Sequence, residues 1–310
     1  MDWSAAGTPL IAARAVHFAA TATTVGSIIF GIFIARPVLR YHTAAAISFR
    51  SRMQRGIWAS LVCSVISGAI WLLLQAASMS GMPLNEALSA DVLSTVVGET
   101  QFGEVTTFRA GLAICLAACL AYDRAVIAQW LGLAAAVGFA ASLAWTGHAG
   151  ATVGTTGDLH LAADVLHILA AAAWIGGLMP LIMFLSTSQI RKDLSLIRDA
   201  VGRFSTLGML SVVVLLLSGI VNAAILVGSL PGLVATDYGR LLTLKMAVFA
   251  VMLAFAAINR FRLTPTLGYE KSSVALDSLI RNSAIETVFG LSIFAIVGWL
   301  GTLHPAVHLM

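Results

Sequence analysis

Apolar residues fill this chain in blocks too long for strands and too uniform for one-sided soluble helices, and clusters of Arg, Pro or Gly bound each block. Crossing a hydrocarbon layer takes about 20 mostly apolar residues at 1.5 Å rise each. The blocks therefore predict eight membrane-spanning helices, near 10–35, 56–79, 106–122, 127–147, 159–185, 205–228, 239–259 and 283–303. The expected fold class is an all-α integral membrane protein, a single polytopic domain over 1–310.

Composition agrees. Of 310 residues, 59% are hydrophobic and only 10% charged, against roughly 45–50% and ~25% in soluble domains. A soluble fold is excluded. The net charge of +4 matters less than its placement. Arg36, Arg40, Arg50, Arg52 and Arg55 follow the first span, and Arg124 follows the third. Arg191, Lys192, Arg198 and Arg203 follow the fifth, and Arg260, Arg262, Lys271 and Arg281 the seventh. Together they are fourteen of the 18 Lys and Arg, and the positive-inside rule makes that side cytoplasmic. Both termini are then periplasmic.

The opposite side is acidic, with Asp2, Glu86, Asp91, Glu99, Glu104, Asp158 and Asp237. Its longest segment, 80–105, is either a capping loop or the seat of a short interfacial helix from Leu84 to Val97. Nothing basic precedes the first apolar run, so no signal peptide is expected. Cys63, Cys115 and Cys119 all lie in apolar runs and form no periplasmic disulfide framework. They read as small packing residues or as a thiolate relay for a soft cation.

The chain resembles itself. Arg14-Ala-Val-His17 in span one matches Asp164-Val-Leu-His167 in span five, and Ser67-Gly68 in span two matches Ser218-Gly219 in span six. Spans three and seven open with Arg109 and Arg240 and close at Asp123-Arg124 and Asn259-Arg260. Spans four and eight end beside His148 and His304. The expectation is an internal repeat of 10–150 and 159–305, two four-helix halves related by an axis along the membrane normal. Ala- and Leu-rich helices also resemble one another through composition alone.

Six of seven histidines fall on the outer half: His17, His148, His160, His167, His304 and His308, with His42 on the cytoplasmic side. Polar groups in hydrocarbon are costly enough to point to function. In span five, His160, Asp164 and His167 share one helical face. Imidazole suits Cu, Zn, Fe and Ni, and a neighbouring carboxylate can ligate or orient a ring. His17, His148, His304 and His308 are the completing ligands, with Met79 and Met82 as soft donors at the outer end of span two. Taken singly, each histidine could instead be hydrogen-bonded between helices or solvated. Lys245, Asn222 and Glu286 are further polar groups inside spans. Lys245 either pairs with Asp164 or snorkels outward, and snorkelling is the simpler expectation.

No P-loop, dinucleotide fingerprint or nucleophile elbow occurs in a suitable context, and the short basic loops lack interleaved aromatics. An ATP-driven pump and nucleic-acid binding are not expected, nor any catalytic residue.

The run Gly147-His148-Ala149, then Asp164-Val-Leu-His167 through Trp174-Ile-Gly176-Gly177-Leu-Met-Pro180, resembles the core signature of the bacterial copper resistance protein D (CopD) family. So do Arg203-Phe-Ser205, Ser218-Gly219-Ile-Val-Asn222, Tyr238-Gly239-Arg240 to Lys245, Asn259-Arg260, and Gly301-Thr302 before His304-Pro305. The resemblance covers nearly the whole chain. It implies an inner-membrane protein of copper homeostasis, moving copper from periplasm to cytoplasm alongside a small periplasmic copper-binding protein. That partner is fused in some members, and this chain leaves no room for it.

The expected path starts with copper, as Cu(I) or Cu(II), held by His148, His304 and His308 with Met79 or Met82. It then passes to His17, His160, Asp164 and His167. The alternative is transmembrane electron transfer through haem b held by paired histidines. A third reading is a membrane scaffold for a copper-loading assembly.

Overall fold

In the computed structural model each apolar block becomes a long helix, because backbone polar groups in hydrocarbon must be satisfied within the segment itself. Residues 7–122, 125–267 and 272–309 are described. Asp2, Asp123, Arg124, Lys271 and the two chain ends, which carry part of the charge argument, lie outside them. Eight helices are long and apolar enough to span: α1 (Gly7–Leu39), α2 (Ala44–Ser80), α3 (Gln101–Ala121), α4 (Val126–Thr146), α5 (Gly154–Leu185), α6 (Leu194–Leu226), α7 (Asp237–Thr266) and α8 (Ser273–Leu300).

All eight expected spans are present, and several run further than expected at the Arg-rich end. Arg36, Arg50, Arg52 and Arg55 sit on helical turns of α1 and α2. Charge marks where hydrocarbon stops, while the helix continues into the interface on flexible arginine stems. The segment after α2 forms two short helices, Leu84–Ala87 and Ala90–Glu99. The end carrying them is called outer below, after the charge expectation.

α1 and α5 are the central pair. In their apolar windows 61% and 67% of residues are buried, against 11–39% in the other six, which therefore present most of their surface to lipid. α1 packs on α2, α4, α5 and α8, while α5 packs on α6, α8, α1 and α4. Small residues let the pair approach closely. A Cβ added at Gly26 would strike the Ala172 carbonyl and the Gly176-Gly177 backbone, and one added at Gly176 would strike the Ala22 carbonyl. The contact is reciprocal, since Ala22 and Gly26 stand to α1 as Ala172 and Gly176 stand to α5.

A second correspondence lies at the starts of α3 and α7. Thr100 caps α3 by accepting from the Gly103 N–H at 3.0 Å, and Thr236 caps α7 by accepting from the Gly239 N–H at 3.0 Å. Both glycines are pressed against the short helix just before, Ala90–Glu99 or Leu230–Ala235, with no room for a Cβ.

The inner half of the centre is apolar, with Phe49 and Phe30 packed edge-on to Phe184 at 5.1 and 6.1 Å between ring centroids. The three cysteines stay outside this core. Cys63 and Cys115 are exposed on the lipid-facing side and Cys119 is partly exposed. None of the three is buried in the core, although Cys119 lies against Gly132 of α4.

Candidate metal site

A cavity of about 370 Å³ opens between α1, α5, α6, α7 and α8. Its walls are mainly apolar. Its polar lining includes Arg14, His148, His160, Asp164, His167, Asn222, Tyr238 and Lys245, with the hydroxyls of Thr21 and Thr146. The three α5 residues line it because they share a face, as their spacing requires. It ends inward at Leu215, Ile175, Phe249 and Ile293, against the buried side chains Trp174 and Leu178.

The hydrogen bonds decide what each imidazole can do. The Thr152 hydroxyl donates to the His148 carbonyl at 2.9 Å, so it accepts from His160 Nδ1 at 2.8 Å. Likewise the Ser218 hydroxyl donates to the Val214 carbonyl at 2.6 Å and accepts from His167 Nδ1 at 2.9 Å. Both rings are thus held as the Nδ1–H tautomer, leaving the Nε2 lone pair uncommitted, as a metal ligand needs.

His17 is placed differently. Its Nδ1 donates to the Ser64 carbonyl at 2.9 Å, and its Nε2 accepts from the Arg109 guanidinium at 2.7 Å. Neither nitrogen is left for a cation, and His17 does not line the cavity. Arg109, itself buried, also donates to the Ser142 hydroxyl at 2.9 Å and to the Phe139 carbonyl.

The settings of His17 and His167 nevertheless match. His17 rests on Gly68 beside Ser67, and His167 on Gly219 beside Ser218. Arg109 lies eight residues after the first residue of α3, and Lys245 eight after that of α7. The counterpart of Arg109 is therefore Lys245. Arg240, which the sequence pairs with Arg109 at the start of span seven, is exposed and donates to the Val234 carbonyl at 2.8 Å.

Lys245 does not snorkel. It faces the cavity, close enough to feel the charge of Asp164 and to act on His167. Asn222 Nδ2 donates to Asp164 Oδ1 at 3.1 Å, while Asn222 Oδ1 is buried without a partner.

At the outer mouth, the His148 ring meets Tyr238 edge-on at 5.9 Å. Burial holds its imidazole below the usual histidine range, and the nearby Arg14, His304 and His308 push the same way. His304 and His308 are exposed beyond α8. Met79 and Met82, 49% and 46% exposed at the end of α2, do not line the cavity. Among the described residues no three His, Cys, Asp or Glu side chains converge closely enough to hold a metal ion. His160, Asp164 and His167 are stations along a wall and not a closed cage.

Arg14 and Tyr238 belong to the lining but do not stand out as ligand candidates in the sequence. For Arg109 and Lys245 the available signal was the shared Thr-x-x-Gly helix start, which sets the register of α3 against α7.

Comparison with known proteins fits this architecture. The family model described as "Copper resistance protein D-like, N-terminal domain" matches residues 4–158, and that described as "Copper resistance protein D" matches 198–300. The chain is 29% identical to the copper resistance protein D of Pseudomonas syringae pv. tomato, over 90% of this chain and 91% of that one. It is 28% identical to the inner membrane protein YebZ of Escherichia coli (strain K12), over 95% and 98%. Identity to the copper transport protein CutJ of Bacillus subtilis (strain 168) is 26%, over 79% of this chain and 45% of that longer protein. No solved structure matches. None of these names mentions haem, so the haem alternative gains no support. Eight apolar helices and these relatives make the chain a multi-pass inner-membrane protein. With one model spanning half its length and the other a further third, the chain belongs to the copper resistance protein D family.

Proposed function

We propose that this protein carries copper from periplasm to cytoplasm, that it is a transporter and not an enzyme, and that the cavity is the outer part of the path. The observation that supports this best is the pair of fixed tautomers at His160 and His167, each with Nε2 free. About 10 Å of helix separates them, two turns, with Asp164 between. Cu(I), a d10 cation tolerant of low coordination numbers, moves from one imidazole to the next, with Asp164 and the unpartnered Asn222 Oδ1 as oxygen donors on the way. Imidazole suits copper.

His148, His304 and His308 receive copper at the mouth from a small periplasmic copper-binding protein, and Met79 and Met82 form an outlying soft site. His17 is left out of the path because Arg109 occupies its free nitrogen. In this reading the two halves are a duplicated unit. The first half keeps its histidine locked by a fixed guanidinium, and the second leaves it open beside Lys245. Lys245 neutralises Asp164 until the cation arrives. With no nucleotide site, the membrane potential supplies about 2.3 kcal/mol per charge per 100 mV.

Proteoliposomes containing a Cu(I) indicator test the proposal. His160→Ala/His167→Ala should abolish copper entry in a correctly folded protein, and Asp164→Asn should slow it, because the charged oxygen donor between the two imidazoles is lost. Normal entry through the folded double variant would leave these residues as packing groups.

A further inference from the structure

Arg14 takes no part in cation binding as described, yet it lines the same cavity. It is only 6% exposed, and its guanidinium lies over the rings of Trp71 at 4.9 Å and Phe18 at 5.8 Å. Stacking fixes the plane without using the in-plane donors. Nε is buried with no hydrogen-bond partner. Among the described residues no carboxylate pairs with it. Asp164, the acid among the lining residues, is attended by Asn222 and Lys245 instead. The other polar groups near this end, Thr146, His148 and His160, carry no negative charge to balance it, and Arg14 acts on His148.

A guanidinium is always charged, and a buried cation left unpaired costs several kcal/mol. Its planar fork matches a carboxylate in two parallel bonds. One guanidinium balances a monoanion, whereas a phosphate dianion would remain half uncompensated. We infer that the outer end of the cavity is a binding site for a small carboxylate anion, held by Arg14 with His148 beside it. The cavity volume admits such an anion together with a metal ion. Resting on the copper reading, one consequence follows: Cu(I) and a carboxylate enter as a neutral pair, which lowers the cost of leaving water.

Acetate is the probe, observed by saturation-transfer NMR on the full-length, metal-free protein in nanodiscs. Saturable acetate binding is expected, weakened at least tenfold in Arg14→Gln and partly restored in Arg14→Lys. Gly301→Ala is the second variant, because its new methyl would collide with Arg14 Nη2 and displace the guanidinium without removing it. It should weaken acetate at least threefold even if Arg14→Gln does not fold. No saturable binding, or binding unchanged in the folded variants, overturns the site. Equal competition by chloride at matched concentration overturns the carboxylate assignment in favour of a halide.

Copper titrations with and without acetate separate the two readings. Copper affinity that rises with acetate in the wild type and not in Arg14→Gln supports the neutral pair. Acetate binding without any copper binding would uphold the anion site and refute the copper reading alone.

Discussion

The crossing of α1 and α5 offers the sharpest prediction, because backbone faces backbone there. Gly176→Ala places a methyl well inside 2.5 Å of the Ala22 carbonyl oxygen, where a real Cβ comes no closer than about 3.0 Å, so the helices must part by about 1 Å. Overpacking by one methyl costs about 1–3 kcal/mol, and the upper end applies because a backbone carbonyl has no rotamer to escape to. The gain in helix propensity on replacing glycine, about 1 kcal/mol, offsets part of it. The expected net loss is about 2 kcal/mol.

Gly111→Ala in α3 is the control. Its Cβ would meet nothing within 4 Å, so only the propensity gain of about 1 kcal/mol remains and the sign reverses. At roughly 2–4 °C per kcal/mol, Gly176→Ala should melt several degrees below the wild type and Gly111→Ala a few degrees above it. Tryptophan fluorescence during thermal denaturation is the assay, since the exposed thiols of Cys63 and Cys115 would react with a thiol dye before unfolding. Gly26→Ala should resemble Gly176→Ala, and the double variant should lose less than the sum because both open the same contact. Equal stability of Gly176→Ala and Gly111→Ala would refute the claim that this crossing sets the bundle's centre.

Three further outcomes are expected. Arg109→Leu strands His17 Nε2 and Ser142 and should destabilise the protein by roughly 2–5 kcal/mol, while the folded fraction binds copper as the wild type does; loss of copper binding in folded protein would return His17 and Arg109 to the path. Lys245→Met removes a positive charge beside Asp164 and His167 and should tighten Cu(I) binding on the order of tenfold or more, measured by competition with a chromogenic chelator; weaker binding would show that Lys245 holds the site together. A reporter fused after Met310 should be active only in the periplasm and one between Arg50 and Arg55 only in the cytoplasm; the reverse pattern would move the cavity mouth to the cytoplasmic side.

The eight spans were legible without coordinates because hydrocarbon imposes one requirement on every residue of a crossing segment, and that requirement is local. The shared face of His160, Asp164 and His167 was legible too, since helical periodicity alone sets it. The partners of those residues were not. Whether an imidazole keeps a free nitrogen depends on a hydroxyl or guanidinium contributed by another helix: Thr152 for His160, Ser218 for His167 and Arg109 for His17. His17 and His167 look alike in sequence, each three residues after a charged residue, and what leaves one locked and the other open is the residue brought to it from the matching position of α3 or α7, Arg109 on His17 and Lys245 beside His167. The same holds for Lys245, whose length permits an outward or an inward course, and whose inward course follows from Asp164 standing across the cavity. Hydropathy determines that a helix crosses the membrane; the rotation and register of its neighbours determine which of its polar groups are already satisfied and which remain for a ligand.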